Sequence, residues 1–329
     1  MKLVTIAAAA AALALAGTTG AQAQAFPSKP ITIVVGFPAG GPTDTVARVL
    51  ADHMKGTLGQ SVIVENKAGA AGTLGLTHVS RADPDGHTLY VGNWTVNVGA
   101  VRTFEVPYNP LTGFEPVALL TTSKLWILAR KDLPAEDAKG LIAWLKANPG
   151  KGNAASVGVG SAAHVCLVDF MQRSGTNFQV VTYRGGAPAV QDLAGGQADF
   201  SCLEAGQTLG LYRGGKVKII GVASKTRFPA AKEVPTLGEG GLPGAEIDFW
   251  HGLWAPKNTP KAVVDRLTDA VQKAFADATV QKRFADVGHS LPAKNEMSPK
   301  ALVDHHKAEL DKWWPIMEKA GIKMFPVKK

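Results

Sequence analysis

Gly158-Val159-Gly160-Ser161, followed by His164, brings a hydroxyl and an imidazole within one helical turn. Those are the types that a nucleophile and its base need. The run is not G-x-S-x-G, however, and no acid partner is placed beside it by spacing. Hydrogen bonding to a ligand, or capping of a helix that starts after Ser161, accounts for the pair better. A second glycine loop, Phe37-Pro38-Ala39-Gly40-Gly41, offers a different chemistry. Its backbone N–H groups at Ala39, Gly40 and Gly41 precede Pro42, a residue suited to a first helical position. An N–H-lined loop at a helix start favours an anion. The loop has neither the Lys-Ser/Thr ending of a nucleotide P-loop nor the spacing of a dinucleotide fold. Asp44, in the first turn, reads as a capping and dipole partner, because it would repel an anion. Arg184, between Tyr183 and Gly185, is the cation best suited to grip both oxygens of a carboxylate. His305, His306 and Glu309 make an incomplete metal set, read here as a solvated helix face. No metal or cofactor is expected. Trp250, Trp254, Trp313 and Trp314 read as packing.

Regular elements have to position these groups. Ile31, Ile33, Val34 and Val35 predict a buried strand, and Val46, Val49, Leu50 and Met54 give the next helix its inward face. Ser61 to Glu65 reads as a second strand, and Leu74, Leu76 and Val79 mark a helix. Thr88 to Val91 is a third strand, ending at the loop Gly92-Asn93-Trp94-Thr95. The order βαβαβ then recurs. Strands are expected at Ala154 to Val159, Phe178 to Thr182 and Ala198 to Cys202, with helices after Ser161 and Gly186. Open parallel sheets bind ligands beyond the carboxyl ends of their strands. The glycine loops all lie there. Two such units predict an α/β protein of two lobes facing across a cleft. Phe114 to Arg130 and Glu246 to Ala255 are the candidate crossings between them, and the C-terminal helices return to the first lobe. The expected division is 26–123 with 247–329 as lobe 1 and 124–246 as lobe 2.

The ends and the composition bound the compartment. Lys2, an apolar stretch from Leu3 to Ala16 and a small-residue end at Ala21 to Ala25 read as a signal peptide over 1–25, cleaved after Ala25 or, alternatively, Ala23. That apolar run is too short to span a bilayer. The mature chain is therefore expected to be exported and soluble, where NAD and ATP chemistry are poor bets. The 329 residues carry 35 Lys and Arg against 27 Asp and Glu. No basic stripe interleaves with aromatics, so no nucleic-acid partner is expected. With two cysteines in an oxidising compartment, the chain is expected to form a Cys166–Cys202 disulfide inside the second lobe.

At Pro30 to Asp44, Gly59 to Gly75, Ala82 to Leu89 and Gly158 to His164 the chain resembles the extracytoplasmic solute receptors of the tripartite tricarboxylate transporter system, the Bug family. The likeness continues at Tyr183 to Phe200, Val234 to Gly244, Trp250 to Pro260 and Glu309 to Lys323. The resemblance implies a periplasmic binding protein of the Venus-flytrap kind. It implies a small carboxylate ligand, delivery to membrane permease subunits, and no catalysis. Its ligand loops fall on Phe37 to Gly41, on Asn93, Trp94 and Thr95, on Gly160, Ser161 and His164, and on Tyr183, Arg184 and Gly185. Asp199 is expected to end a pocket-edge strand. Trp94 stands where many relatives carry a smaller residue, so a narrower or aromatic-stacking pocket is expected. After Cys202, where relatives often carry an acid, this chain has Leu203 and then Glu204. A monomer is expected. The alternative is an exported α/β hydrolase acting on a small ester.

Overall fold

Ile31, Ile33, Val34 and Val35 have no exposed surface and form β1 (Ile31–Val35). The structure is a computed structural model that describes residues 26–326; the leader expected over 1–25 lies outside the described residues. The chain leaves β1 through the glycine loop into α1 (Pro42–Leu58) and continues through β2 (Val62–Asn66), α2 (Thr73–Val79) and β3 (Thr88–Asn93). β1 runs parallel to both β2 and β3. Val46, Val49, Leu50 and Met54 of α1 are buried, as their spacing demands. Each such side chain contributes about 1.5–3 kcal/mol of burial. Of the three residues that mark α2, Leu76 and Val79 are buried and Leu74 is exposed.

β4 (Phe114–Arg130) is one continuous 17-residue strand. Its register with β9 (Asp248–Pro256) runs from Phe114 to Lys124. From Leu125 to Arg130 it pairs instead with β7 (Phe200–Glu204) and β8 (Val217–Val222). The second lobe therefore hangs from the far half of the same strand. After α3 (Ala138–Ala147), it repeats the first unit as β5 (Asn153–Ser156), α4 (Ala162–Ser174), β6 (Gln179–Thr182), α5 (Gly186–Ala194) and β7. β5 lies parallel to β6 and β7, so the order β6-β5-β7 copies β2-β1-β3. β7 runs two residues further than expected, and α6 (Ala205–Arg213) follows it directly.

The C-terminal helices α7 (Lys261–Ala276), α8 (Ala278–Asp286) and α9 (Pro299–Lys319) return to the first lobe. Leu267, Val271 and Phe284 join Ile31, Leu50 and Met54 on one face of its sheet. On the other face, Trp94, Trp250, Trp254 and Trp313 share a cluster with Tyr90 and Leu302. The loop expected after β3 is instead a π-helical segment, Thr95–Ala100, buried along its length. Its β-branched residues gave no helical period, and α9 is what holds it. His306 Nε2 meets the Asn97 carbonyl at 2.9 Å, and Trp314 Nε1 donates to the Val98 carbonyl at 2.9 Å. The solvated-face reading of α9 is thus corrected: His306 and Glu309 are buried, and Glu309 accepts from Trp94 Nε1 at 2.8 Å.

Cys166 on α4 and Cys202 on β7 are joined in a disulfide, their Cα atoms 6.3 Å apart and 36 residues apart in sequence. A loop of that length lowers denatured-state entropy by about 4 kcal/mol in the chain-entropy model. Denaturant titration of the doubly substituted Cys166→Ser/Cys202→Ser protein should show a loss of that order. A second prediction concerns His306, whose burial lowers its pKa from 6.5 to about 4. As pH falls from about 6.5 toward 4, the unfolded chain takes up a proton that the folded chain refuses, so stability is lost in that window. His306→Gln keeps a donor and does not titrate. The stability difference between variant and wild type should move in the variant's favour by about 1.4 kcal/mol per pH unit across it.

Candidate functional site

The first glycine loop is shaped by one carboxylate. Asp44 Oδ2 accepts the Gly40 N–H at 2.9 Å and Arg48 Nε at 2.8 Å, and its Oδ1 accepts Asn66 Nδ2 at 2.9 Å. Asn66 Nδ2 also donates to the Phe37 carbonyl at 3.0 Å. Burial pushes the Asp44 carboxyl up, but these hydrogen bonds outweigh it and hold the pKa below the usual carboxylate value. Gly40 sits at φ +81, a left-handed conformation suited to glycine. The expectation that the Gly40 N–H faces a ligand is therefore corrected, because Asp44 takes it.

The loop forms one wall of a cavity of about 310 Å³. Four helix starts meet there: Gly41 to Thr43 of α1, Ala162 and Ala163 of α4, Gly185 to Ala187 of α5, and Glu204 and Gln207 of α6. In α1, α5 and α6 no side chain caps the first turn, so backbone donors remain there. In α4, Ser161 caps by accepting the His164 N–H at 3.1 Å. Phe37, Leu125, Val157, Leu203 and Phe249 make the rest largely apolar. Among the lining residues only Arg184 and Glu204 are ionisable. Arg184 is exposed, and no ion pair or hydrogen bond of its guanidinium occurs among the described residues.

The structure brings together Phe37, Pro38, Ala39, Gly40, Gly41, Asn93, Thr95, Arg184 and Gly185 around this cavity. It places the other candidates elsewhere. The Trp94 side chain points into the core and stacks edge-on to Trp313 with centroids 5.6 Å apart, so it does not narrow the pocket. Tyr183 turns its hydroxyl to Asp192 Oδ2 at 2.8 Å. Asp199 lies before β7, at the end away from the cavity, where Arg130 Nε and the Asn153 N–H hold its carboxylate. Gly160, Ser161 and His164 stand behind Ala162 and Ala163, outside the cavity wall. The Gly160 N–H donates to His164 Nδ1 at 3.2 Å, and no bond joins that ring to the Ser161 hydroxyl. Thr43, Gln207 and Phe249 line the cavity without having been singled out in the sequence. The Pro42 helix start was the only signal for Thr43.

The lobes touch beside the cavity. Ala162 N–H donates to Thr95 Oγ1 at 3.1 Å. Gly99 lies so close to the Gly160 carbonyl that a Cβ there would sit 1.8 Å from its oxygen. Both atoms are backbone, so only separation of the lobes relieves the clash. Gly99→Ala should therefore fold but hold the lobes apart. Overpacking of this kind costs about 1–3 kcal/mol, a roughly tenfold to hundredfold loss of affinity for any ligand that needs both lobes. Small-angle scattering and calorimetry check the two effects together.

With this geometry in place, known proteins supply the frame. The family model described as tripartite tricarboxylate transporter family receptor matches residues 46–322. A protein of Agrobacterium vitis, described as a UPF0065 protein in the TAR-I ttuE-ttuC' intergenic region, is 38% identical over 302 residues, covering 92% of this chain and 87% of its own. The solved periplasmic binding protein BugD is 40% identical, with a TM-score of 0.85 over 91% of this chain and 99% of that one. MatC from Rhodopseudomonas palustris, solved with bound malate, is 37% identical, with a TM-score of 0.84 over 88% of this chain and 99% of that one. The chain belongs to the receptor family of the tripartite tricarboxylate transporters, among its periplasmic solute-binding proteins.

Proposed function

We propose that the cavity between the lobes captures a small organic carboxylate, and that the protein presents it to the permease subunits of a tripartite transporter. The observation that carries the reading is the meeting of four helix starts, three of them uncapped by side chains, on one mostly apolar cavity. Helix N-termini replace the water that a buried anion gives up. Arg184, without an ion-pair partner among the described residues, supplies the counter-charge at the wall, and the malate seated in MatC supports the ligand class. A cavity of about 310 Å³ suits a ligand of a few carbons. We place the lobe division at 26–123 with 247–329 and at 124–246, where β4 changes partners and β9 begins. The working form is a periplasmic monomer freed of 1–25. Against the ester-hydrolase reading, Ser161 accepts the His164 N–H as a helix cap, and no hydrogen bond joins its hydroxyl to the His164 ring among the described residues.

Thermal-shift and calorimetric titration with malate, succinate, glutamate and benzoate tests the ligand class. A ligand at one hundred times its Kd should stabilise the fold by about 2.7 kcal/mol. Arg184→Ala should lower affinity roughly tenfold to a hundredfold, since hydrogen bonds to charged groups contribute about 1.5–3 kcal/mol. If none of the four acids shifts the melting temperature, or if the protein turns over simple esters, the assignment is wrong.

A further inference from the structure

Glu204 is the one acidic residue on the cavity wall, and it is 4% exposed. Its Oε1 accepts the Ser123 hydroxyl at 2.7 Å and meets His289 Nε2 at 3.2 Å. Its Oε2 is buried without a hydrogen-bond partner among the described residues, and the side chain does not cap α6. Behind it runs a buried chain of single side chains. His289 Nδ1 meets Thr121 Oγ1 at 3.1 Å, and Thr121 Oγ1 meets His251 Nδ1 at 3.1 Å. His251 Nε2 meets Thr43 Oγ1 at 3.2 Å, and Thr43 Oγ1 accepts Asn93 Nδ2 at 2.8 Å. Asn93 is oriented by the Val96 N–H, which donates to its Oδ1 at 3.3 Å. Backbone pairing of Thr122 with Ser290 in both directions fixes the segment that carries His289 against β4. Both ends of this chain, Glu204 and Thr43, line the same cavity.

The donors and acceptors of the chain can be counted. A neutral imidazole has one donor and one acceptor nitrogen, and a hydroxyl has one proton. When Glu204 is ionised, His289 Nε2–H points at it, Thr121 donates to His289, His251 donates to Thr121, and Thr43 donates to His251. Every proton is then spent inside the chain. A charged, unpartnered oxygen is then buried beside the cavity, and the chain has no free hydroxyl proton at either end. When Glu204 is neutral, there are two consistent arrangements. The extra proton sits on the buried Oε2, or it sits on Oε1, the chain reverses, and the Thr43 hydroxyl becomes free. Either way one O–H without an acceptor of its own appears on a residue of the cavity wall. One proton thus converts a surface that repels an anion into one that binds it.

We propose that Glu204 takes part in ligand capture as a neutral acid, so that this receptor binds its carboxylate together with one proton, held by the chain from Glu204 to Thr43. The proposal rests on the carboxylate reading of the cavity. Burial favours the same state. It raises the Glu204 carboxyl to about 7, lowers His289 to about 4 and drives His251 well below its usual value. The groups that face Glu204 are Ser123 from β4, His289 from the segment after α8 and Gln207 from α6, with Arg184 on the same cavity wall. Moving the proton to His289 instead would leave Oε2 as a buried anionic oxygen without a donor, a costly arrangement.

Two measurements decide it. Infrared difference spectra between pH 6 and pH 9 should show a protonated carboxyl band in the ligand-free wild type at the lower pH, missing from Glu204→Gln. Calorimetry with malate, succinate, glutamate and benzoate over the same range should show affinity falling above pH 7, toward about tenfold per pH unit, with the protons taken up per ligand rising from close to none at pH 6 to close to one at pH 9. Glu204→Gln keeps a donor but cannot titrate, so its affinity should not change with pH. A merely structural glutamate predicts the same pH profile for both proteins. Binding that is independent of pH in the wild type, or the absence of the carboxyl band, overturns this proposal alone. If none of the four acids binds at either pH, the carboxylate reading fails and the proposal falls with it.

Discussion

An anion drawn from water into a cavity of about 310 Å³ must recover its hydration from the protein. That requirement explains most of what is unusual about this chain. On the proposed carboxylate reading, the protein meets it with backbone rather than with a cluster of cations. Two copies of a strand–loop–helix unit each direct helix starts at one space, and α6 adds another. Backbone donors are fixed before the ligand arrives, so little ordering remains to be done on binding. The same donors have to be kept from collapsing onto the protein's own acceptors. Asp44 does this in the first loop by taking the Gly40 N–H and Asn66, which leaves the later amides of the loop and α1 free.

The cavity exists only because two sheets are held at a fixed relation, and a single strand does most of that. β4 gives its first part to β9 and its last part to β7 and β8. The chain crosses between lobes there and again just before β9. Beside these crossings the lobes meet through Thr95 and Ala162 and through the close approach of Gly99 to Gly160. Any separation of the lobes would have to bend the crossings and break this small contact. The buried chain of Glu204, His289, Thr121, His251 and Thr43 passes through the same region.

Local chemistry was readable from the residues alone. β-Branched runs gave the strands, helical spacing gave α1, and Pro42 after a glycine loop gave an anion-favouring helix start. The repeat of βαβαβ gave two lobes, because each unit buries its apolar faces by the same rule. The reading stopped where a residue's role depends on a partner far along the chain. Trp94 was read as a pocket residue because it follows a strand end. It turns inward because Glu309, 215 residues away, accepts its N–H. His306 and Glu309 were read as solvated, since a helix face says nothing about the segment laid against it.

What the sequence determined by itself was the set of elements, their order and the family they belong to, since these follow from periodicity, turn residues and motifs within short windows. What only the tertiary structure decided was direction and company. It put Asp199 at the far end of β7 and Glu204 at the near end, although only four residues lie between them in the chain. It gave one oxygen of Glu204 two partners and the other none. The physical reason is that burial and hydrogen bonding of a polar group are properties of its surroundings, and those come from β4, β9 and the segment after α8 together, not from its own neighbours in sequence.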